Sequence, residues 1–393
     1  MSLVDDDKLK TKAKKFERKY YLDWLRVIAV ISVFFYHLAG MYSVAVGGAF
    51  RNDEVSIGMD LFIILLAGFG MPMFFIISGM GAFYAFKYVE GFDGKIFIKE
   101  RFVRLMVPFL FGLFTHIPVQ LYFVQVGNSR FTGSFLEFIP HYFDGISIFG
   151  GAFPQFGLHL WTLLYLFFDC LIAVALFVYL SKVSNQEKLG KFASYFNKPG
   201  AIYLFVVPLL IIEIFDPLTA FGIVRFTGWN ALSYLTFLII GFFLASDKQY
   251  EESLEKHNLA AFFILIFCVI IGLPMAIFIL NQPITRVVMV FYGWSVLILI
   301  LNLGRKHLNI KHSIMKFLSK VSLPFYIIHQ TVLVIIAFFL IPLDLAIALE
   351  FLLISTISLA IIFGLIFIIM QLNALRFLFG MRLKKKKEKE SPG

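Results

Sequence analysis

Three ionisable residues interrupt the first apolar run of the chain, YLDWLRVIAVISVFFYHLAG: Asp23, Arg26 and His37. At about 100° per residue, the eleven steps from Arg26 to His37 return a helix to within roughly 20° of its start, so the two share one face, with Asp23 about 60° away. A rise of about 1.5 Å per residue sets His37 about 16 Å beyond Arg26, near the bilayer centre. Ionisable groups inside a span are costly, and each is a functional candidate with a partner to be found. A histidine at that depth suits proton abstraction from an alcohol and return of the proton to a leaving group, because its unperturbed pKa is near neutral. The structural alternatives are an interfacial Asp23–Arg26 pair that snorkels and a histidine that only bonds helix to helix.

Other residues extend this set. In MPMFFIISGMG, Pro72 removes a backbone hydrogen bond, and Ser78-Gly79 permits close approach of a neighbour or substrate. Arg101 and Arg104, three apart in KYVEGFDGKIFIKERFVRL, are spaced to clamp a phosphate together, unless they only decorate a basic loop. The fourth apolar run opens with His159-Leu160-Trp161, with Trp161 read as an interface anchor. Asp169 lies about 15 Å deeper and needs a partner, which His37, Arg26 or a backbone donor would supply. SLPFYIIHQTVL sets Tyr326 and His329 one turn apart, about 10 Å in from the cytoplasmic end. His116 and Glu213 sit beside prolines or span ends, where structural roles are easier. Cys170 and Cys268 lie inside apolar runs without metal-ligand neighbours and read as small core residues, so no metal site is expected.

These residues must be positioned by helices in lipid. With 60% hydrophobic and 15% charged residues over 393, the chain has too little polar surface for a soluble globule. A span needs roughly 20 apolar residues. Ten such runs occur, at 22–46, 57–86, 105–126, 159–181, 200–215, 231–246, 259–280, 287–303, 323–341 and 346–370, the fifth and sixth being short. The expected fold is an all-α, polytopic helical bundle of about ten transmembrane helices. The first run is too long, and lacks the small-residue site, for a cleaved signal. With both termini inside, cytoplasmic segments hold 30 of the 35 Lys and Arg; Arg51, Arg130, Arg225 and Arg286 lie outside and Arg26 within a span. The net charge of +10 therefore calls for no nucleic-acid partner, and the RLKKKKEKE tail reads as an anchor against anionic lipid. Residues 1–21 form a basic cytoplasmic segment, 22–370 the membrane domain and 371–393 a basic cytoplasmic tail, in an inner membrane. The outer loop DPLTAFGIVRFTGWN is read as dipping into the interface, and no repeat or further soluble domain is expected.

Together the motifs resemble acyltransferase family 3, the membrane-embedded O-acyltransferases of surface and periplasmic glycans. Arg26 and His37 fit its Arg-x10-His element, Phe74-Phe75-x-x-Ser78-Gly79 its Phe-Phe-x-x-Ser-Gly, and Arg101-x-x-Arg104 its Arg-x-x-Arg loop. His159-Leu160-Trp161 and Tyr326-x-x-His329 resemble two further segments, and the similarity runs from about 22 to 370. The MPMFFIISG wording is similar to the branch with periplasmic glucan succinyltransferases. The resemblance implies an acyl-CoA co-substrate, acetyl-CoA or succinyl-CoA, whose phosphates lie near Arg101 and Arg104, with Ser78 and Gly79 in the donor-binding set and no permanently bound cofactor. His37 would act as general base on a carbohydrate hydroxyl from outside, or carry the acyl group itself. Arg26 and Asp23 complete the catalytic set, with His159, Trp161, Asp169, Tyr326 and His329 in support. Phe149, Phe153, Phe156, Trp161 and Trp229 are candidates for stacking on sugar faces. The competing reading is a proton-coupled transporter or flippase for an anionic or glycan substrate, with His37, Asp169 and His329 relaying protons.

Overall fold

The computed structural model describes residues 18–44, 52, 54–144, 157–216, 227–272, 274–275 and 282–384. Within them the apolar runs are helices, because a backbone in lipid must satisfy its own N–H and C=O groups and an α-helix does so inside one segment. The first half comprises α1 (Tyr20–Gly40), α2 (Ile57–Ala67), α3 (Gly70–Tyr88), α4 (Gly94–Arg101), a π-helical turn (Phe102–Met106), α5 (Val107–Gly127), α6 (Phe135–Tyr142), α7 (Trp161–Ser181) and α8 (Val183–Tyr195). The second half comprises α9 (Val206–Phe215), α10 (Ala231–Ser246), α11 (Lys248–Lys256), α12 (Asn258–Phe267), α13 (Gln282–His307), α14 (Ser313–Leu340), α15 (Ile347–Ile369) and α16 (Asn373–Leu378). Among the described residues there is no strand.

Among the described residues seven helical stretches are long and apolar enough to cross a membrane, eight if α10 and α11, bent by 105°, count as one span. Ala201–Phe215 and Asn258–Gly272 are shorter apolar helices. The chain is an all-α, multi-pass membrane protein. Its exterior agrees: α15 turns Leu352, Phe363, Phe367 and Ile368 outward while Ile354, Ile362 and Ile366 pack inward, the arrangement of a helix with lipid on one side.

The helices depart from the sequence reading in four places. The run 57–86 breaks at Gly68–Phe69, one turn before Pro72, which falls in the first turn of α3 where its missing N–H costs nothing. The third span begins at Gly94 and absorbs the basic loop, so Arg101 and Arg104 sit within one continuous helical stretch, Gly94–Gly127. Helix α14 starts at Ser313, which puts Tyr326 and His329 about 20 and 24 Å along it rather than 10. Helix α1 ends at Gly40 rather than at 46, so His37 occupies its last turn.

The closest helix pairing is α3 against α10. A Cβ on Gly79 would lie 1.9 Å from the Leu238 carbonyl oxygen, and one on Gly241 would lie 2.1 Å from the Ile76 carbonyl oxygen. Both glycines are therefore consumed by backbone-to-backbone contact, the device by which small residues bring membrane helices together. Asp247 ends α10 and caps α11 through Gln249 N–H at 2.9 Å. Two polar ends flank the apolar bundle. Arg18, Arg101, Arg305 and Lys316 mark a basic end, where Arg305 pairs with Glu251 and Glu255. At the far end, Arg286 pairs with Asp216 at 3.0 Å, and Glu350 on α15 is fully buried.

Candidate active site

Three histidines from three separate helical segments meet inside the bundle. His37 of α1, His159 just before α7 and His329 of α14 have ring centroids 6.5, 5.5 and 5.2 Å apart for the pairs 37–159, 37–329 and 159–329. Each was a separate candidate in the sequence, and nothing in their spacing signals that they converge. His159 reaches the cluster through a tight turn: Gly157 has φ 67° and Leu158 φ 46°, left-handed values that leucine adopts only under constraint. A 3-10 turn, Leu158–Leu160, then directs His159 inward, where it is 5% exposed.

Helix α14 holds that turn from the other side. Tyr326 donates its hydroxyl hydrogen to the His159 carbonyl, and the His159 ring contacts the Ile327 carbonyl through Nε2 at 3.0 Å. His329 Nδ1 contacts the Tyr326 carbonyl at 2.6 Å. A carbonyl only accepts, so His159 carries its proton on Nε2 and His329 on Nδ1. The remaining nitrogens, His159 Nδ1 and His329 Nε2, are buried lone pairs with no partner among the described residues. Their complement is an O–H or N–H hydrogen. His37 differs from both: it is half-buried, and among the described residues its ring makes only aromatic contacts, with Tyr36, His159 and His329. Neither of its nitrogens is committed to a carbonyl, so it is the member free to change tautomer.

At the basic end a second cluster forms around Arg26, Arg101 and Arg104. Arg26 acts electrostatically on Arg104, and Arg101 on both. All three are half-buried, and the Arg26 side chain keeps 38% of its surface. Asp23 binds Arg18 at 2.6 Å, Arg26 at 3.4 Å and Ser319 at 2.9 Å, so it orients this mouth and stands about 21 Å along α1 from His37. Glu100 acts on Arg104, but no ion pair joins them. The π-helical turn lies between Arg101 and the start of α5, and such turns recur at functional sites because they re-aim side chains. A recess of about 170 Å³ beside the mouth is lined by Arg18, Tyr20, Asp23, Lys311, His312 and Lys316. Cations this close repel, and the arrangement is suited to a ligand with several negative charges.

Other candidates fall outside both clusters. Asp169 is buried on α7 with Oδ2 unpartnered, bonded to neither His37 nor Arg26. Trp161 is no interface anchor: it is 6% exposed and packs on Tyr165 and Tyr234, because the turn at 157–160 tucks the start of α7 inside the bundle. Trp229 presents no face to a sugar, being 1% exposed, bonded to the Ala67 carbonyl and packed against Gly293. Phe149, Phe153 and Phe156 lie outside the described residues. Ser78 is half-buried, and the close approach at Gly79 is that of α10. His116 packs between Phe111 and Phe379, and Glu213 accepts from Ser233 and Asn230, both structural settings. Sequence reasoning missed Glu350, which accepts from Asn52 at 2.6 Å and Tyr42 at 3.2 Å and ties α15 to the end of α1. An acid in the first turn of a long apolar helix was its only signal. Among the described residues no group of three metal-ligand side chains is arranged to hold an ion.

A histidine cluster joined to a cationic mouth by one helix face is the setting in which the family comparison falls. Residues 19–371 match the model of the acyltransferase domain of family 3, and the chain belongs to that family. It is thus a membrane-embedded acyltransferase. A relative is the glucans biosynthesis protein C of Shigella dysenteriae serotype 1 (strain Sd197), 25% identical over 239 residues, which are 57% of this chain and 57% of that protein. No solved structure matches the chain.

Proposed function

We propose that the protein transfers an acyl group from a cytoplasmic acyl-CoA to a hydroxyl of a carbohydrate outside the inner membrane, with His37 as general base. The observation that carries this reading is the shared face of α1, which links the arginine mouth to the one histidine of the cluster with no carbonyl bond. The separation fits the donor. Arg26 and His37 lie about 16 Å apart along α1. The arm of coenzyme A runs about thirteen bonds from phosphorus to sulfur, and at the ~3.5 Å per three bonds of an extended peptide it spans about 15 Å. A donor whose phosphates rest on Arg26, Arg101 and Arg104 therefore brings its thioester to the histidines.

The steps balance on this chain's residues. His37 accepts the hydroxyl proton as the acceptor oxygen attacks the thioester carbonyl; the carbon–sulfur bond breaks, and the proton passes to the departing thiolate. His159 and His329 present lone pairs to neighbouring hydroxyls of the carbohydrate, which leaves the reacting O–H to His37. Acetyl and succinyl groups are both in scope, and the relative named for glucan biosynthesis favours a glucan acceptor. On this reading the seven long helices, the α10–α11 pair and the two shorter apolar helices are counted as ten crossings, with both termini cytoplasmic. Transport by a proton-coupled carrier or flippase is not favoured for a member of an acyltransferase family.

Mass spectrometry of surface and periplasmic glycans tests this, from cells with the protein, without it, and with His37→Ala at matched levels. The expected result is an acyl mass increment present only with the intact protein. Full modification by His37→Ala would refute the catalytic role.

A further inference from the structure

Helix α15 ends at Ile369, and the chain then turns back on the basic end as a hook, residues 370–384. The hook is closed from within. Arg376, 4% exposed, donates to the Met370 carbonyl at 3.4 Å and, through Nε at 2.7 Å and through Nη2, to the Arg382 carbonyl. The Met381 N–H donates to the Arg376 carbonyl at 2.7 Å. Asn373 brackets Lys384, accepting from its N–H at 2.8 Å and donating to its carbonyl at 3.3 Å.

The hook is also docked. Phe379 and Met381 are 4% and 5% exposed, and the Phe379 ring lies 5.4 Å from Phe111 and 5.5 Å from His116 on α5. Gly380 has φ 64°, and a Cβ there would meet the Arg104 carbonyl oxygen at 2.8 Å, Leu323 at 2.8 Å and Pro108 at 3.0 Å. Proline at 108 cannot supply the N–H that would close an α-helical bond to the Arg104 carbonyl, so the π-helical turn leaves that carbonyl where the hook's backbone rests. This seat delivers Arg382 into electrostatic range of Arg104, which already responds to Arg101 and Arg26. Lys320 on α14 interacts in turn with Arg376, Lys384 and Lys316, which extends the basic rim. A charge count alone groups Arg382 with the lysines that follow it, as a lipid anchor. The hook holds Arg382 and Lys384 in defined places.

Arg382 thus adds a cation to a rim where Arg26, Arg101 and Arg104 stand against two described acids, Asp23 and Glu100, and an excess of positive charge favours an anion. We propose that the hook forms a wall of the donor site and that Arg382 binds a phosphate of the acyl-CoA together with Arg26, Arg101 and Arg104. This rests on the reading of the arginine cluster as the donor site. The shared chemistry is a phosphate, and it could come from coenzyme A or from an anionic lipid headgroup. Arg382 closes the hook through its main-chain carbonyl, which truncation of the side chain leaves in place.

The test is calorimetric binding of coenzyme A to the purified full-length protein in neutral detergent, and in phosphatidylcholine nanodiscs with and without phosphatidylglycerol. The variants are Arg382→Ala, Arg382→Lys, Phe379→Ala and Arg104→Ala. Arg382→Ala should weaken binding about threefold to tenfold, as befits a charge-assisted contact at an exposed rim, with Arg382→Lys retaining most of it. Phe379→Ala should weaken it too, although it removes no charge, because the hook loses its seat. If Arg104→Ala weakens binding and neither Arg382→Ala nor Phe379→Ala does, the inference is overturned and the donor site stands. If Arg104→Ala also binds normally, the donor-site reading itself is wrong. An Arg382 effect confined to nanodiscs with phosphatidylglycerol would assign the contact to lipid and overturn the inference.

Discussion

Replacing Gly79 with alanine would put a methyl group 1.9 Å from the Leu238 carbonyl oxygen and 2.8 Å from the Phe242 amide nitrogen, both on α10. These are backbone atoms, so no rotamer change relieves the clash. Restoring a contact of about 3.4 Å opens the α3–α10 crossing by about 1.5 Å, and a gap of even 0.5–1 Å forfeits a quarter to a half of each dispersion contact along it. Overpacking of this kind costs about 1–3 kcal/mol, and the loss falls here on the closest helix pairing in the bundle. Gly81, two residues on in the same helix, is the internal control, since a Cβ there meets nothing within 4 Å. Gly81→Ala should gain up to about 1 kcal/mol from helix propensity. The two variants should therefore differ by about 3 kcal/mol, read by thermal unfolding of the detergent-solubilised protein. Donor titration separates the rival explanation. If Gly79→Ala is as stable as Gly81→Ala yet needs more acyl-CoA for half-maximal rate, the packing argument fails and Gly79 belongs to the donor site.

Two further outcomes follow from the polar contacts. Tyr326→Phe removes the hydroxyl that holds the His159 carbonyl; a buried acceptor left bare costs about 1–3 kcal/mol, but side-chain bonds in membranes average nearer 0.6, so a loss of about 1–2 kcal/mol is expected. Transfer should fall about tenfold or more as His159 loses its register, and an unaltered rate would remove Tyr326 from the positioning role. Glu350→Ala strands Asn52, Tyr42 and the Leu345 N–H around a buried gap, for about 2–4 kcal/mol, whereas Glu350→Gln keeps an acceptor and should lose about 1; equal unfolding temperatures for the two would contradict the network.

Much of the architecture was legible because lipid imposes one rule on every crossing segment. A run such as 346–370 must be a helix, and α15 spans 347–369. Breaks inside runs were harder. The break at Gly68–Phe69 depends on the Tyr292 ring and Gly293 of α13 meeting Gly68, a contact between residues far apart in the chain, while Pro72 offered a local signal that its place in the first turn of α3 makes harmless. The site followed the same division. His37, His159 and His329 each stood out as polar groups in apolar surroundings, yet their convergence is tertiary, and no single helix carries a sign of it. Trp161 misled because tryptophan at a span end favours an interface, and Trp229 because an aromatic ring in an outer loop suits sugar stacking, whereas here both indoles lie inward beside tight turns at Gly157 and Gly228. The hook was invisible because its lysine-rich sequel dominates the composition of the tail.

One consequence of the histidine tautomers reaches beyond the acceptor. With their N–H groups spent on the Ile327 and Tyr326 carbonyls, His159 and His329 have only lone pairs left to offer. Such a patch recognises a hydroxyl by its hydrogen and by little else, and water carries the same hydrogen. A cluster built this way tolerates variety in the alcohol it receives but has no polar means of refusing solvent. If the proposed acyl-CoA is the donor, selectivity against futile loss of its thioester must then come from dryness, from the apolar packing of α1, α7 and α14 that limits water at the cluster.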